Sequence, residues 1–583
     1  MRSCSTRAGI AALAAVGMLA LAGCQKKDPP QAPPVPAPVA SPWAALVNEW
    51  VESDLKAEPL NGVYQGRHEY DGLFPDWSEA GLQAEIRRLK DWRARAEAVD
   101  PATLTAGADQ FERSYLLAII DSRLFWLEDA DWPHRNPAYY YFDPGVYLDR
   151  PYADLATRMK AYTRWASNIP NAVAQIKANL KAPLPKAYID IGSHTFGPMG
   201  KFLQQDVVKV FAGTGDAAAQ AEFKKQNDAA AAALADLDTY LTTLRATQTD
   251  QFALGPDLFA KMLLKTEGVD TPLAELERVG RADLDRNKRA LKEACAQYAP
   301  GKSIVQCVAK MGEDKPANGD AVAEATTQLA SLKAYVVEHG LVEIPGTEEA
   351  KVKQSPPYQA QNSAYIDIPG PFEKNMPSYY NVAAPDPSWT KEKRDAYIPG
   401  KSDLLFTSVH EVWPGHFLQF LHSNRAASPL GRIYVGSGFA EGWAHYAEEL
   451  MWEVGMGEGS PEVHIGQLSN ATLRNVRFLS AIGMHTKGMT PEQSRRMFIE
   501  EGYQDEGNAE QQAARGTYDP GYLIYTMGKL QIRRLRADWC DKRTGADNQL
   551  CWSQFHNAFL SYGGPPIPLV RGAMLNEPAK SAF

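Results

Sequence analysis

This sequence of 583 residues has few cysteines, few long apolar runs and no excess of positive charge. It has only six cysteines, and none of them is spaced like the ligand pairs of a zinc knuckle. Beyond the N-terminal segment, no stretch is long and apolar enough to span a membrane. The formal net charge is -9 and no basic patch is interleaved with aromatic residues, so we expect no nucleic-acid partner.

The N-terminal segment has the features of a secretory signal. Arginines precede a short apolar run, which ends in Leu21-Ala22-Gly23-Cys24, a tetrapeptide that resembles a bacterial lipobox. We predict that residues 1–23 are a lipoprotein signal peptide and that Cys24 carries the lipid anchor. The alternative is an ordinary signal peptide with a chance cysteine. The residues after Cys24 are Gln and Lys rather than Asp, which favours the outer membrane, facing the periplasm.

Residues 24–42 are rich in proline and are predicted to form an extended tether between the lipid and the fold. Four cysteines remain once Cys4 and Cys24 are set aside, and they form two sequence-local pairs. Export to an oxidising compartment favours disulfides, and we predict Cys295–Cys307 and Cys540–Cys551, although three connectivities are possible.

Residues 43–340 show apolar residues three and four apart with charges between them, the pattern of amphipathic helices. Clear examples are Ala217–Leu244 and Leu273–Tyr298. The window Asp154–Leu180 contains Pro170, which predicts two helices or one kinked helix.

The remaining part, residues 341–583, begins with a segment rich in proline, tyrosine and β-branched residues. Ala364–Ile368 and Ser378–Val382 are predicted strands of a small sheet. A further helical block covers residues 402–580. The predicted fold class is therefore mainly α: a large helical body with a small β-sheet, in which 43–340 and 341–583 together form one central cleft.

The first chemical motif is His410-Glu411-Val-Trp-Pro414-Gly415-His416. Zincins carry His-Glu-x-x-His on one helix, where both imidazoles reach one metal and the glutamate activates water. Here the histidines are six residues apart, and on a regular helix this spacing falls about 120° short of two full turns. The two imidazoles would then point to different faces of the helix. Because proline disrupts a helix and glycine tolerates unusual dihedrals, a two-residue bulge at Pro414-Gly415 would bring His416 back to His410.

The second motif is Glu441-Gly-Trp-Ala-His445-Tyr-Ala-Glu448, in which the two glutamates are seven residues apart on one helix face. A carboxylate from a later helix completes the site of glutamate-type zincins. Two histidines and Glu441 would leave a fourth position for water, the mark of a catalytic zinc. Each motif alone is more often chance or a salt-bridged carboxylate, but together they predict one Zn2+ per chain, held by His410, His416 and Glu441, with Glu411 as general base.

Both motifs resemble the bacterial family catalogued as domain of unknown function 885, over roughly residues 45–580. A third element of this resemblance is Pro520-Gly521-x-x-x-Tyr525-x-x-Gly528-Lys529. The family is similar in fold to thermostable carboxypeptidases, and more distantly to thimet oligopeptidase and angiotensin-converting enzyme. That similarity implies a gluzincin-like helical body with a deep cleft, with the metal helix beside a short sheet. The chain departs from the family at Phe417 and at His445.

His445 lies four residues after Glu441, so it is either a hydrogen-bonding partner behind the ligands, like Glu448, or a rival ligand to His416. The resemblance implies that a tyrosine from a late helix stabilises the oxyanion. Tyr525 is the predicted residue, and Tyr518 and Tyr522 are its rivals.

Two further pairs are candidates for substrate binding. Arg477 and His485 lie loosely on one side of a predicted helix and could bind a carboxylate or the oxyanion, or could be structural. Tyr379 and Tyr380, on the strand before the metal helix, could line the groove at a strand edge that pairs with substrate, or could pack within the sheet.

The predicted function is a metallopeptidase of carboxypeptidase or oligopeptidase type, acting on short peptides because a deep cleft excludes folded chains. The alternatives are a zinc hydrolase of other amides or esters, such as cell-wall fragments, and an inactive envelope lipoprotein on a peptidase scaffold. The sequence leaves the oligomeric state open.

Overall fold

The helical periodicity of the sequence is realised along most of the chain in a computed structural model, which describes residues 42–104, 107–356, 359, 363–385, 388–542 and 548–583. The predicted signal peptide, Cys24 and the tether up to residue 41 lie outside the described residues. Pro42, assigned to the tether, is the first residue of a helix. Among the described residues, no helix combines the length and apolar content that a membrane crossing needs.

Amphipathic helices make up the chain before the sheet. They are α1 Pro42–Ala57, α2 Pro59–Tyr64, α3 Glu79–Ala98, α4 Ala108–Leu124, α5 Trp132–Arg135, α6 Gly145–Asp149, α7 Leu155–Asn179, α8 Lys186–Phe202, α9 Val208–Val210, α10 Ala217–Leu244, α11 Pro256–Glu267, α12 Leu273–Tyr298, α13 Ile304–Met311 and α14 Ala321–Glu338. The window around Pro170 is one helix, α7, with the proline inside it.

Helices also follow the sheet. They are α15 Lys391–Tyr397, α16 Lys401–Glu411, α17 His416–Ser423, α18 Pro429–Ile433, α19 Ser437–Glu453, α20 Pro461–Thr486, α21 Pro491–Glu500, α22 Glu506–Tyr518, α23 Ile524–Asp541, α24 Asn548–Leu560 and α25 Ile567–Leu575. Helix α12 packs along α20, so the two predicted regions are in direct contact, and α19 packs along α23 within the second region.

The sheet has three described strands rather than the two predicted: β1 Ala350–Gln354, β2 Ala364–Asp367 and β3 Ser378–Val382, in the order β1-β3-β2. β1 is parallel to β3, and β2 is antiparallel to it. The sequence of β1, AKVKQ, carries two lysines and is partly exposed at the sheet edge, so it lacks the apolar content by which a strand is recognised. Disulfides join Cys295 to Cys307 and Cys540 to Cys551, the predicted local pairing.

A cleft of about 3080 Å³ lies between helices of both regions. Asp190 and Phe252 line it from the N-terminal region, and Glu411, Arg474 and Tyr525 line it from the C-terminal region. This volume is well above the ~300–1,000 Å³ of small-ligand pockets, so a chain of several residues can enter.

Candidate metal site

The helix is interrupted between the two predicted histidine ligands. α16 ends at Glu411 and α17 begins at His416, so Pro414-Gly415 joins two helices and is not a bulge inside one. A Cβ on Gly415 would overlap the carbonyl oxygen of His410, and the Gly415 N–H donates to the Val409 carbonyl at 3.0 Å. Only glycine allows the chain to turn this tightly across the end of α16.

A tryptophan from the second motif holds the break in place. The indole N–H of Trp443, which is fully buried in α19, donates to the Pro414 carbonyl at 2.8 Å. The break and α19 are therefore fixed to each other by a buried hydrogen bond, and His416 starts its helix next to Glu441.

The structure brings His410, His416 and Glu441 together. Their donor atoms all lie within 4.8 Å of one another. Glu441 Oε2 is 3.3 Å from His410 Nε2 and 3.2 Å from His416 Nε2, and the two imidazoles are nearly perpendicular, with ring centroids 4.7 Å apart. Ligand atoms around a tetrahedral zinc with bonds of ~2.0–2.2 Å are about 3.3 Å apart, so the donor set and its spacing fit this ion.

Glu441 presents one oxygen to this centre and the other to a tyrosine. Oε2 is buried and accepts no hydrogen bond from the described residues, whereas Oε1 accepts one from the Tyr525 hydroxyl at 3.2 Å. Burial raises the pKa of Glu441, but the charges of His416 and His410 outweigh it and hold that pKa well below its usual range. An ionised carboxylate with a free inward oxygen is what a cation requires.

Glu448 orients His410 from behind. Its Oε1 lies 2.7 Å from His410 Nδ1, and Arg474 Nη2 lies 3.3 Å from the same nitrogen. The shorter contact assigns the Nδ1 proton to a bond with Glu448, which leaves the Nε2 lone pair directed at the centre. Burial raises the pKa of Glu448, but Arg474, His445 and His410 together lower it well below the usual range.

His445 does not point into the centre. It is fully buried, and its Nδ1 lies 3.4 Å from Glu448 Oε2, so it belongs to the layer behind the ligands. Burial lowers its pKa to about 4, which keeps it neutral at ordinary pH. Of the two alternatives for the second nitrogen ligand, the geometry favours His416, although His416 Nδ1 has no hydrogen-bond partner among the described residues.

Glu411 follows His410 directly and lines the cleft. Burial raises the pKa of its carboxyl, and the nearby charges of His416 and His410 only partly offset this. A carboxylate whose pKa is raised toward neutrality is better suited to accept and return a proton.

The approach of Glu441 to Tyr525 depends on two glycines at one helix crossing. A Cβ on Gly442 would lie 2.6 Å from the Cα of Gly528, so α19 and α23 touch backbone to backbone. This crossing explains why the second and third motifs each contain a glycine, and it brings Tyr525 to the candidate metal site.

Tyr522, one rival of Tyr525, is fully buried and does not line the cleft, whereas the other, Tyr518, does line it. His485 also turns away from the cleft: its Nε2 lies 2.7 Å from the Gly516 carbonyl and its Nδ1 accepts from the Leu254 N–H at 3.3 Å. Eight residues along a helix rotate the direction by about 80°, so Arg477 faces the cleft while His485 packs in the core.

Of the two alternatives for Tyr379 and Tyr380, the structure favours packing within the sheet over lining the groove. Their strand, β3, is paired on both sides, so it offers no edge to a substrate. Tyr380 is fully buried against the helices, and Tyr379 packs under the Lys353 ammonium at 4.2 Å. β2 is the strand at the cleft, with Tyr365 among the lining residues.

Sequence reasoning missed Arg474 and Arg515, which line the cleft beside Tyr525. Arg474 precedes Arg477 by three residues on α20, and both are buried. Two arginines on one face of a buried helix are a signal that could have been noticed.

Described as a class, this is a mainly α protein with a His-His-Glu cluster that lines a large cleft. The chain belongs to the family of bacterial proteins of unknown function DUF885, whose model matches residues 59–574. No curated protein matches the chain.

Two solved structures share the fold. One, from Shewanella oneidensis, is described as a proposed lipoprotein of unknown function; it is 22% identical, with a TM-score of 0.75 over 91% of this chain and 99% of the other. The second, a proposed lipoprotein from Colwellia psychrerythraea, is 16% identical, with a TM-score of 0.79 over 92% of this chain and 99% of the other. These matches establish the fold of the chain but not its activity.

Proposed function

We propose that this protein is a zinc-dependent hydrolase that cleaves short peptides in the cleft. The observation that carries the proposal is the free, buried oxygen of Glu441, 3.2 and 3.3 Å from the Nε2 atoms of His416 and His410. Bound zinc would supply an activated water and polarise the scissile carbonyl. The other groups in the site then have distinct tasks.

Glu411 takes a proton from the attacking water and returns it to the leaving amine. Glu448 holds the His410 ring in one orientation through the 2.7 Å bond to Nδ1. The Tyr525 hydroxyl, which donates to Glu441 Oε1 in this structure, is assigned to the developing oxyanion. Arg515 Nη2 lies 3.4 Å from that hydroxyl and supports its position.

A short peptide is the substrate class that this cleft favours. The site lies among residues from both halves of the helical body, so a folded protein could not bring its backbone to Glu411. The volume of the cleft nevertheless exceeds what a single amino acid needs.

We also propose that the protein is a lipid-anchored lipoprotein of the bacterial envelope. The lipobox at Cys24 and the descriptions of both structural relatives support this. Replacing Cys24 with serine should release the protein from the membrane fraction into the soluble fraction. Retention of the variant in membranes would contradict lipid anchoring at this residue.

The zinc proposal is tested by metal analysis and peptide cleavage on the full chain. Wild-type protein should hold one zinc ion and cleave members of a short-peptide library, and Glu441→Gln should lose most of the zinc because a ligand charge is removed. The folding of both proteins is compared by circular dichroism. Zinc retention by Glu441→Gln would refute the assigned site.

The same library separates the alternatives. Cleavage of cell-wall fragments in place of peptides would change the substrate class and keep the metal chemistry. Full zinc occupancy without turnover of either class would favour an inactive protein on a peptidase scaffold.

A further inference from the structure

Three arginines surround the ring of Tyr525 at the metal site. The guanidinium carbons of Arg474, Arg477 and Arg515 lie 5.6, 5.1 and 5.9 Å from the ring centroid. All three side chains line the cleft. Such a concentration of positive charge needs negative partners, and only part of it has them in the described chain.

Two of the arginines have their own acids. Arg474 Nη2 lies 3.1 Å from Glu448 Oε1, and Arg515 Nε lies 2.9 Å from Asp519 Oδ2. The ion pair of Arg515 is partly exposed, with one-third of both side chains accessible, so a ligand in the cleft can reach this guanidinium, whose Nη2 also lies 3.4 Å from the Tyr525 hydroxyl.

Arg477 has no acid partner among the described residues, although it is only 8% exposed. Its one hydrogen bond to this part of the chain runs from Nε to Gln512 Oε1 at 2.8 Å. A guanidinium has five N–H donors, so its four Nη hydrogens have no acceptor among the described residues. Burial, together with the charges of Arg515 and Arg474, lowers the pKa of Arg477 to about 10, so the group stays charged at neutral pH.

We propose that Arg477, helped by Arg515, binds a carboxylate of the substrate next to the bond that is cleaved. A planar guanidinium fork matches a carboxylate in two parallel hydrogen bonds. An incoming carboxylate would supply the charge that Arg477 lacks. This inference rests on the proposed peptidase function and names the substrate feature that the site recognises.

The position of the cluster indicates where this carboxylate lies along a peptide. The Tyr525 ring is the spacer: its centroid is 6.3 Å from the His410 ring and 5.1 Å from the Arg477 guanidinium carbon. Because successive Cα atoms are about 3.8 Å apart, one or two residues fit between the scissile bond and Arg477. The carboxylate is then either the C-terminus of the peptide or an acidic side chain close to the bond.

Matched peptides tell these two sources apart. One pair has the same sequence with a free or an amidated C-terminus. A second pair is amidated and carries Glu or Gln at the last position. Binding is measured by calorimetry on zinc-loaded full-length Glu411→Gln, in which turnover should be at least about 100-fold slower, and cleavage is measured on the wild-type protein.

We expect the free-acid peptide to bind at least about 30-fold more tightly than its amide, and Arg477→Gln to remove most of this ratio. Arg477→Lys keeps the charge but loses the fork, so it should restore the ratio only in part. Arg278→Gln, which removes an exposed arginine on α12 paired with Glu275, is the control and should leave the ratio unchanged. Thermal melting confirms that each variant is folded.

Each outcome has one meaning. A preference for Glu over Gln in the amidated pair, lost in Arg477→Gln, keeps the carboxylate subsite and assigns it to a side chain. Cleavage of free and amidated peptides at equal rates, with no preference for Glu, overturns this inference alone. No cleavage of any peptide by the zinc-loaded wild-type protein refutes the peptidase proposal, and this inference with it.

Discussion

Two neighbouring glutamates on α19, Glu448 and Glu449, enter two different clusters of buried charge. Glu448 is fully buried and faces His410 and Arg474 at the candidate metal site. Glu449 is 5% exposed and faces a different side of the helix, toward the cations of α12 and α23. Burial and charge are similar in the two clusters, so neither property separates a functional site from a structural one.

The two clusters differ in whether their charged atoms are all paired with other described residues. In the Glu449 cluster, the fully buried Lys529 Nζ lies 2.8 Å from Asp283 Oδ2 and 3.1 Å from Glu449 Oε2. Arg286 and Arg533 complete the pairing of Glu449, each at 2.6 Å. At the candidate metal site, no hydrogen bond from a described residue reaches Glu441 Oε2, and the Nη atoms of Arg477 have no acceptor among the described residues. Buried polar atoms without a partner among the described residues, rather than buried charges as such, indicate a functional site.

The largest effect should come from a change that leaves both clusters intact. Glu411→Gln should lower kcat by about 100- to 10,000-fold, because the proton acceptor is lost while the ligands stay. Zinc content and the melting temperature should match those of wild type, and Glu222→Gln, an exposed change on α10, should leave kcat unaltered. Turnover by the Glu411 variant within a few-fold of wild type would remove Glu411 from the mechanism.

Disrupting the charge cluster around Glu449 should lower the free energy of unfolding. Lys529→Met leaves Asp283 and Glu449 without a central cation, and we expect a loss of about 3–5 kcal/mol in the free energy of unfolding. Urea titration measures this loss. Lys224→Met, at an exposed i,i+4 pair on α10, is the matched control and should change stability by less than about 1 kcal/mol. If the two variants are equally stable, the Glu449 cluster is not a stability element.

A smaller effect should follow from the neutral replacement of Glu448. Glu448→Gln keeps the shape and still accepts from His410 Nδ1, but it lacks the charge, so zinc affinity should fall about 10- to 100-fold. Competition with a chelator measures the affinity, with Glu338→Gln, an exposed change on α14, as the control. Unchanged affinity would mean that Glu448 serves packing alone.

The smallest effect concerns Glu267, which lies against Gly438 at the start of α19 and has no ion pair with a described residue. Burial raises its pKa to about 8, more than a hydrogen bond from the Gly438 N–H lowers it. Between the unfolded pKa and this folded value, the folded chain binds the extra proton, so its contribution to stability is lost as pH rises toward about 8. Urea midpoints at about pH 5 and about pH 8 should differ less in Glu267→Gln than in wild type. An identical pH dependence in both proteins would contradict the raised pKa.

Local pattern was sufficient for much of the fold. The helices Ala217–Leu244 and Leu273–Tyr298 have the predicted limits, and so does the strand Ser378–Val382. In these segments the spacing of apolar residues reports directly on the face that is buried. The two disulfides were also predictable, because each closes a loop of only 11 or 12 residues.

By itself, then, the sequence determined the helical class of the protein, the local cysteine pairs and the identity of the candidate ligands His410, His416 and Glu441, because each depends on residue types at short spacing. Only the tertiary structure decided that the chain turns between two helices at Gly415, that β3 is central, and that Arg477 rather than His485 faces the cleft. Those features depend on contacts between segments far apart in the chain, such as Trp443 with Pro414 and Gly442 with Gly528. No local periodicity encodes such contacts, since they are set by how whole helices pack.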